Sequence, residues 1–349
     1  MNNTKLTAVL LAVLLSIAIF STACKGEKSP MQDDGTKTVT GDKIITGEVD
    51  VTGIYEGDIK KTNTDLGEDY NISWVDTAFE TLIRKALNKP DGVLRRTDLD
   101  AFEWFTIAGP DFIDSNLSAA DNASVSIGGD VPTKGLGLFS DTWYEIDGEK
   151  HTEIGKITGL DDLVHFKNLF SVRIQFNKIG NLSALKDCPW LEDINLCENE
   201  INDIGGLSSL TKLRWLMLRD NKIADITPIA SLSLLEHIDF YGNQIRDIRA
   251  VKDLKNLVNI SFSANKISDI TGISDLPKLD DLWLDENQIE DLSPLANLPV
   301  LRQVVLAQNK ISDLKPLAVL KNLETIDLTD NPVSDWSPVV DVPNVVGRP

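Results

Sequence analysis

Three residues in the middle of the chain have the side-chain types of a nucleophilic triad: His237, Asp239 and Ser261. In a working triad the base lies about 3 Å from the nucleophile. The repeat pattern described below places these residues on neighbouring strands. Side chains two positions apart on one strand lie roughly 6.5 Å apart, and the diagonal between strands is no shorter than about 7 Å. We therefore expect no enzyme, with residues 115–150 the one segment left for catalysis because their pattern is irregular.

A column of acidic residues offers a second kind of chemistry, calcium binding. It comprises Asp203, Asp225, Asp247, Asp269, Asp291, Asp313 and Asp335. Aligned acids bind calcium in glycine-rich nonapeptide repeats, but the G-G-x-G framework of those repeats is missing around this column. We predict that each Asp orders the turn that follows it, and we expect neither a metal ion nor a cofactor.

The elements that position these residues follow from a ladder of asparagines with a period of 22 residues. Its members are Asn177, Asn199, Asn221, Asn243, Asn265, Asn287, Asn309 and Asn331. The neighbours repeat as L-x-x-L-x-L-x-x-N-x-I-x-D-I-x-x-L-x-x-L, which resembles the leucine-rich repeat. A fixed period in this range predicts a solenoid. Because an amide both donates and accepts, each Asn is expected to satisfy the backbone of its turn.

A helix is predicted to cover the open end of this solenoid, as terminal units of repeat proteins must. Thr77 and Glu80 have capping-box spacing, an apolar stripe spans residues 79–87, and Asn88 and Pro90 end the helix. Residues 99–107 then have repeat spacing, and residues 108–114 imitate the asparagine turn with Pro110 in place of Asn. The predicted fold is an α/β solenoid, a leucine-rich repeat horseshoe with a short-strand parallel sheet on its concave face and an N-terminal helical cap.

The composition divides the chain into seven segments. They are 1–23, a signal peptide; 24–45, a flexible tether; 46–73, an uncertain segment; 74–114, the helical cap and first degenerate repeat; 115–154, an irregular insertion or degenerate repeats; 155–331, the regular repeats; and 332–349, a C-terminal cap.

The first segment carries the signals of export. Lys5 precedes an apolar run at residues 6–20, which is shorter than the roughly twenty residues of a membrane span and suits a signal peptide. The small residues before Cys24 resemble the lipobox of bacterial lipoproteins, although Ser21 stands where Leu is usual. The resemblance implies cleavage before Cys24, lipidation of this residue and display on a bacterial envelope membrane. The alternative is a secretory signal with an incidental cysteine. Cys188 and Cys197 are predicted to be free thiols on different sides of the coil.

The asparagine register also predicts which side chains face outward on the concave sheet, because strand side chains alternate between faces. They are the residues six, four and two positions before each Asn. In the central repeats these positions hold aromatic, basic and acidic groups, and Trp, Tyr and Arg are typical of binding hot spots. The predicted partner-binding residues are Trp215, Met217, Arg219, His237, Asp239, Tyr241, Ser261, Asp281, Trp283 and Asp285.

Within this set we predict a shallow depression. Asn259, Ser261 and Ser263 form its floor, Tyr241 and Trp283 its walls, and Asp239, Asp281 and Asp285 an acidic ring. The formal net charge of −20 favours a protein ligand with a basic surface and argues against nucleic acid. A glycan is the alternative, since aromatic platforms flanked by Asp and Asn suit sugars. Membrane contact is expected only through the N-terminal lipid.

The repeats resemble one bacterial class closely. The period of 22 residues, the N-x-I-x-D-[IL] turn and the Ser/Thr-Pro return are similar to the internalin-type leucine-rich repeats, over roughly residues 75–349. The resemblance implies a surface-exposed protein that grips another molecule with its concave sheet. The chain has no LPxTG-like motif, so the invasion activity of internalins is not carried over.

Overall fold

The computed structural model describes residues 67–115, 144–146, 149–151 and 153–348. The predicted signal peptide, lipidation site and tether lie outside these ranges, as do most of residues 46–73 and 115–154. The described residues belong to two units. One contains an antiparallel pair of strands, residues 144–146 with residues 149–151; the other is the solenoid. In the part of the chain that is described, no helix is long and apolar enough to cross a membrane.

Within the described ranges, the solenoid contains one α-helix, α1 (Thr77–Ala86), and one open sheet of short strands. The two strands of the separate hairpin are numbered with the others. In chain order the strands are β1 (Trp104–Ala108), β2 (Asp111–Ser115), the hairpin strands β3 (Tyr144–Ile146) and β4 (Glu149–His151), β5 (Ser171–Gln175), β6 (Asp193–Asn195), β7 (Trp215–Met217), β8 (His237–Asp239), β9 (Asn259–Ser261), β10 (Asp281–Trp283), β11 (Gln303–Val305), β12 (Thr325–Asp327) and β13 (Asn344–Val346).

The sheet confirms the predicted parallel architecture. Strands β1 and β5 to β13 lie side by side and parallel, with β2 antiparallel at one edge. From β5 to β12 each residue pairs with the residue one repeat later, as Trp215 pairs with His237. The constant period therefore sets the register of the sheet.

The return segments are short 3-10 helices that close each coil. They span Asp161–His165, Ser183–Asp187, Gly205–Ser209, Thr227–Ile229, Arg249–Val251, Thr271–Ile273, Ser293–Asn297, Lys315–Val319 and Ser337–Val339, and a further one, Arg96–Leu99, follows α1. Between sheet and returns runs one continuous apolar core from Phe79 to Val339, built from the Leu and Ile columns of the repeat.

The asparagine ladder has the structural role predicted for it, and Asn243 illustrates the arrangement. Its Nδ2 donates to the carbonyl oxygens of Leu218, Phe240 and Tyr241 at 2.9–3.1 Å. Its Oδ1 accepts the N–H of Ile223 at 2.9 Å. Each amide thus satisfies its own turn and the preceding repeat, which joins adjacent coils.

The acidic column orders turns, as predicted. Asp225 Oδ1 accepts the N–H of Thr227 at 2.8 Å, two residues later. The same bond is made by Asp203, Asp247, Asp269, Asp291, Asp313 and Asp335. These carboxylates therefore begin the 3-10 returns by accepting an N–H that the helix itself cannot pair.

Helix α1 closes the open end of the core, but its predicted N-cap was wrong by one residue. Asp76, not Thr77, caps the helix: its Oδ1 accepts the N–H groups of Ala78 and Phe79 at 2.9 and 3.0 Å. Both residue types can cap a helix, and the chain turns one position earlier than the Thr77–Glu80 spacing indicated. The predicted apolar face is confirmed, and Phe79 packs against Phe105 and Phe166 with ring centroids 5.8 Å apart.

The predicted asparagine-like turn at Pro110 was also wrong. After β1 the chain reverses through Gly109 and Pro110 and forms the antiparallel strand β2, with Ala108 paired to Asp111. Gly109 has a φ of 55°, and glycine is favoured at the first position of a type II′ hairpin turn. Strand β1 then pairs directly with β5 in the parallel sheet, with Trp104 opposite Ser171.

Candidate binding face on the concave sheet

The outward-facing strand side chains form three rows that cross the sheet, with one residue from each repeat. The first row is Ser171, Asp193, Trp215, His237, Asn259, Asp281, Gln303 and Thr325; the second is Arg173, Asn195, Met217, Asp239, Ser261, Trp283, Val305 and Asp327; the third is Gln175, Cys197, Arg219, Tyr241, Ser263, Asp285, Ala307 and Thr329. We call this surface the concave face. The residues between them on the strands, such as Leu216 and Ile238, lie in the core.

The predicted aromatic residues of β7 and β8 are paired along these rows. The rings of Trp215 and His237 are stacked, with centroids 3.7 Å apart and an interplanar angle of 22°. The guanidinium carbon of Arg219 lies 4.0 Å from the ring centroid of Tyr241. Parallel strands bring successive repeats to about 4.8 Å, so large side chains in one row stack on each other. One face of each aromatic ring is therefore already covered.

Polar side chains are paired along the rows in the same way. Asp193 accepts hydrogen bonds from Ser171 Oγ at 2.8 Å and from Arg173 Nη2 at 2.9 Å. Farther along the sheet, Ser263 Oγ donates to Asp285 Oδ1. The concave face is thus a preorganised surface, fixed by contacts between repeats.

The predicted exposure of several site residues was wrong. Trp283 is only 5% exposed, although alternation directs it away from the core. Asp239, Asp281, Asp285 and Ser261 are also buried, so the acids do not form a solvated ring. Alternation fixes the direction of a side chain, whereas lateral packing between repeats decides how much of it water reaches. Trp215, Met217, His237 and Tyr241 are half-buried, and Arg219 is buried.

The centre of the predicted depression contains polar atoms without hydrogen-bond partners. They are Asn259 Oδ1 and Ser261 Oγ on β9, and Asp281 Oδ2 on β10. Asp281 is paired in register with Asn259, and Trp283 with Ser261. Such buried, unpartnered polar atoms are uncommon in native structures. Asn259 was placed in the floor from sequence but not among the binding residues; no sequence signal marks its unpartnered oxygen.

The electrostatics of the face distinguish two titratable groups. Burial raises the pKa of the Asp281 carboxyl to about 7, and the neighbouring Asp280 adds to this effect while Arg302 opposes it. Burial lowers the pKa of His237 to about 4, with a contribution from the positive charge of Arg214. His237 is consequently a neutral ring at physiological pH, and Asp281 titrates close to neutrality.

The residue types of the triad do not assemble into one. The ring of His237 stacks on Trp215, and Asp239 Oδ1 accepts the N–H of Tyr241 at 2.9 Å. Within the described ranges Ser261 Oγ has no hydrogen-bond partner, so neither His237 nor another described base contacts this hydroxyl. The three side chains therefore lack the relay that would activate a nucleophile. Within the described ranges, no three His, Cys, Asp or Glu side chains are placed to hold a metal ion.

Cys188 and Cys197 are free, as predicted, and both are buried, although Cys197 was expected to face outward on the sheet. Cys188 occupies a Leu column of the core. Burial raises its pKa to about 12, and burial also raises the pKa of Cys197 on the concave face. Because the thiolate is the reactive form, neither residue is a nucleophile.

A groove outside the predicted set opens at the amino ends of the last strands. Its volume is about 500 Å³, and its lining includes Asp280, Arg302 and Glu324. Arg302 forms an ion pair with Asp280. The groove mixes both signs of charge, and no motif in the sequence marks it.

Comparison with known proteins agrees with this geometry. The leucine-rich repeat family matches residues 236–338, and the curated proteins contain no match. An internalin (inlF) from Listeria monocytogenes is 23% identical, over 77% of this chain and 68% of its own, with a TM-score of 0.61. An internalin C2 (inlC2) from the same organism is 24% identical, over 77% of this chain and 91% of its own, with a TM-score of 0.51. The fold is a leucine-rich repeat solenoid. Its similarity to the internalin-type repeat, predicted from the turn motif, is confirmed for the fold.

Proposed function

We propose that this protein is a binding scaffold whose concave face recognises a protein partner, and that it is exported and held at the bacterial cell envelope by lipid on Cys24. The observation that carries the binding proposal is the pair of stacked contacts at the centre of the face, Trp215 on His237 and Arg219 on Tyr241. Side chains fixed before binding lose little conformational entropy when a partner docks, and preorganisation raises affinity in this way.

The chemistry of the face favours a protein with basic side chains. Asp239, Asp281 and Asp285 lie buried within β8 to β10 or directly after them, and Arg219, which follows β7, already lies over Tyr241. The whole chain carries a net charge of −20. An acidic surface attracts and orients a basic partner.

A glycan is the less favoured ligand. Trp215 and Tyr241 each have one face covered by a neighbouring side chain, which leaves at most one face of each ring for a sugar. Trp283 is buried. These contacts leave edges and single faces of the rings, which suit a folded protein surface or peptide better.

Affinity capture with soluble residues 25–349 tests the binding proposal. The wild-type bait is compared with Trp215→Ala/Tyr241→Ala and with Leu234→Ala/Val319→Ala, whose two residues are exposed off the concave face. The proposal predicts partners retained by the wild type and the control pair but lost from the aromatic pair. Equal recovery on all three baits contradicts it.

Metabolic labelling with a fatty acid tests the anchor. The wild-type chain is expected to incorporate label, and Cys24→Ala to lose it, because the proposed lipid is attached at this cysteine. Cys188→Ala serves as the matched control, since this thiol is buried in the core. Label that persists in Cys24→Ala refutes the anchor without affecting the binding proposal.

A further inference from the structure

The side chains of Asn259, Ser261 and Asp281 interrupt the lateral pairing of the concave face. Elsewhere on this face, Asp193 and Asp285 accept hydrogen bonds from side chains one repeat earlier. On β9 and β10 the atoms Asn259 Oδ1, Ser261 Oγ and Asp281 Oδ2 have no hydrogen-bond partner among the described residues. Asp281 is 1% and Ser261 2% exposed, so water compensates them poorly. Leaving a buried polar group unpaired destabilises a folded protein, and a ligand that donates hydrogen bonds to these atoms would remove that cost.

These three atoms can all accept a hydrogen bond. The Asn259 amide oxygen and the ionised Asp281 carboxylate only accept hydrogen bonds, and the Ser261 hydroxyl can accept as well. The register holds them together, because Asp281 is paired with Asn259 and Trp283 with Ser261. A group with several N–H donors and a positive charge would satisfy them all, and a lysine ammonium has three donors and no acceptor.

Among the described residues, no lysine or arginine forms an ion pair with Asp281. Around it on β9 and β11 lie Asn259 and Gln303, both uncharged. The charged groups that act on it are Asp280, Arg302 and Glu324. Arg302 is paired with Asp280 through two hydrogen bonds, so its charge is largely compensated, and Glu324 adds negative charge.

We propose that Asn259, Ser261 and Asp281 form a subsite for a lysine side chain of the protein partner, with the ammonium on Asp281 and the aliphatic stem against Trp283. This subsite rests on the proposed function, since it assigns one contact of the partner to the centre of the concave face. It would make binding depend on the charge of a single buried carboxyl.

The subsite predicts a pH dependence with a definite sign. The pKa of Asp281 lies near 7 without ligand, and an ammonium stabilises the ionised carboxylate. Lysine binding therefore lowers this pKa and releases a proton, so affinity rises with pH through neutrality. Between pH 8 and pH 5, affinity should fall at least about tenfold, because protonation of Asp281 competes with the ligand.

The test uses the full-length protein and two small probes, Nα-acetyl-lysine methylamide and its uncharged counterpart Nα-acetyl-norleucine methylamide. NMR signals of the Asp281 carboxyl carbon and the Trp283 indole N–H are followed at millimolar probe concentrations. The lysine probe is expected to shift both signals at pH 8 and at least tenfold less effectively at pH 5, and the norleucine probe to leave them unchanged. Equal shifts with both probes, or shifts independent of pH, overturn the subsite.

Two variants assign the effect to Asp281. Asp281→Asn preserves shape and is expected to lose the response of Trp283. Asp253→Asn removes one charge from an exposed side chain outside the concave face. This variant should retain the response of Trp283 to the lysine probe. If Asp281→Asn fails to fold, Ser261→Ala is expected to weaken the lysine probe several-fold; an unchanged affinity contradicts the subsite.

The same variants separate this inference from the proposed function. A partner that needs Trp215 and Tyr241 but binds equally to wild type and Asp281→Asn at pH 5 and pH 8 overturns the lysine subsite and leaves the scaffold intact. A lysine probe that binds at Asp281, while no partner depends on Trp215 and Tyr241, supports the subsite and contradicts the protein-binding function of the face.

Discussion

From Asn199 to Asn331, the asparagine of each repeat makes four hydrogen bonds to backbone groups of two adjacent coils, as Asn287 does with Ile267, Phe262, Leu284 and Asp285. The sequence predicted this role because an amide carries two N–H donors and a carbonyl acceptor and can therefore pair both kinds of backbone group in a turn. The residue is structural, and the ligand-facing positions are those that vary around it.

Asn287→Ala is expected to destabilise the protein by about 2–4 kcal/mol, because it leaves a buried N–H and buried carbonyl oxygens unpaired. Asn331→Ala is the matched comparison. Asn331 makes equivalent bonds in the last repeat but is only half-buried, so water can replace them and the loss should be roughly half as large. Urea unfolding monitored by circular dichroism measures both. Equal decreases in the free energy of unfolding for the two variants would show that burial of the asparagine does not determine the effect of its removal.

The raised pKa of Asp281 predicts a second effect, on how the free energy of unfolding changes with pH. The direction of the pKa shift sets the sign of this effect. The folded protein holds a proton up to about pH 7 that the unfolded chain releases near 3.8. The free energy of unfolding therefore carries a penalty that is absent below the unfolded pKa and grows as pH rises to the folded pKa.

Asp281→Asn removes this penalty. The variant should match the wild type near pH 4 and exceed its stability by roughly 1–3 kcal/mol near pH 8. Chemical unfolding of both proteins from about pH 4 to pH 8 measures the difference. A difference that is constant with pH would rule out a titrating, buried Asp281.

At the scale of elements, the repeats were predictable and their first unit was not. The period of 22 residues determines both the strand pairing and the buried columns, so few alternative folds are compatible with residues 177–331. At Gly109 and Pro110 a local turn preference redirects the chain into β2, and no periodic signal competes with it. For Trp283 the repeat pattern predicted correctly that the side chain points out of the core. It did not predict the solvent exposure of this side chain, because neighbouring side chains of adjacent repeats cover it and their packing cannot be read from the pattern.

The cap of α1 can be tested directly. Asp76→Ala should destabilise the protein by about 1–3 kcal/mol, since the carboxylate caps Ala78 and Phe79 and also accepts the N–H of Thr158. Thr77→Ala, at the position that the capping-box spacing favoured, should stay within about 0.5 kcal/mol of the wild type. Thermal unfolding separates the two. A larger loss for Thr77→Ala would restore the sequence-based assignment.

At the scale of the whole molecule, the net charge of −20 should govern how fast a basic partner arrives. Electrostatic attraction accelerates association and salt screens it. Raising NaCl from about 50 mM to 500 mM is expected to lower the association rate constant roughly tenfold, with a smaller change in dissociation. Surface plasmon resonance with the captured partner measures both rates. An association rate that does not change with salt would point to an uncharged ligand, such as a glycan.

The dissociation constant of the captured partner for three forms of the protein tests the central claim most directly. The forms are the wild type, Trp215→Ala/Tyr241→Ala and the control pair Leu234→Ala/Val319→Ala. If the concave face is the binding surface, the aromatic pair should weaken binding at least about tenfold, as hot-spot residues do, while the control pair stays within about twofold of the wild type. A partner that binds the aromatic pair as tightly as the wild type, or loses affinity only in the control pair, would contradict the account.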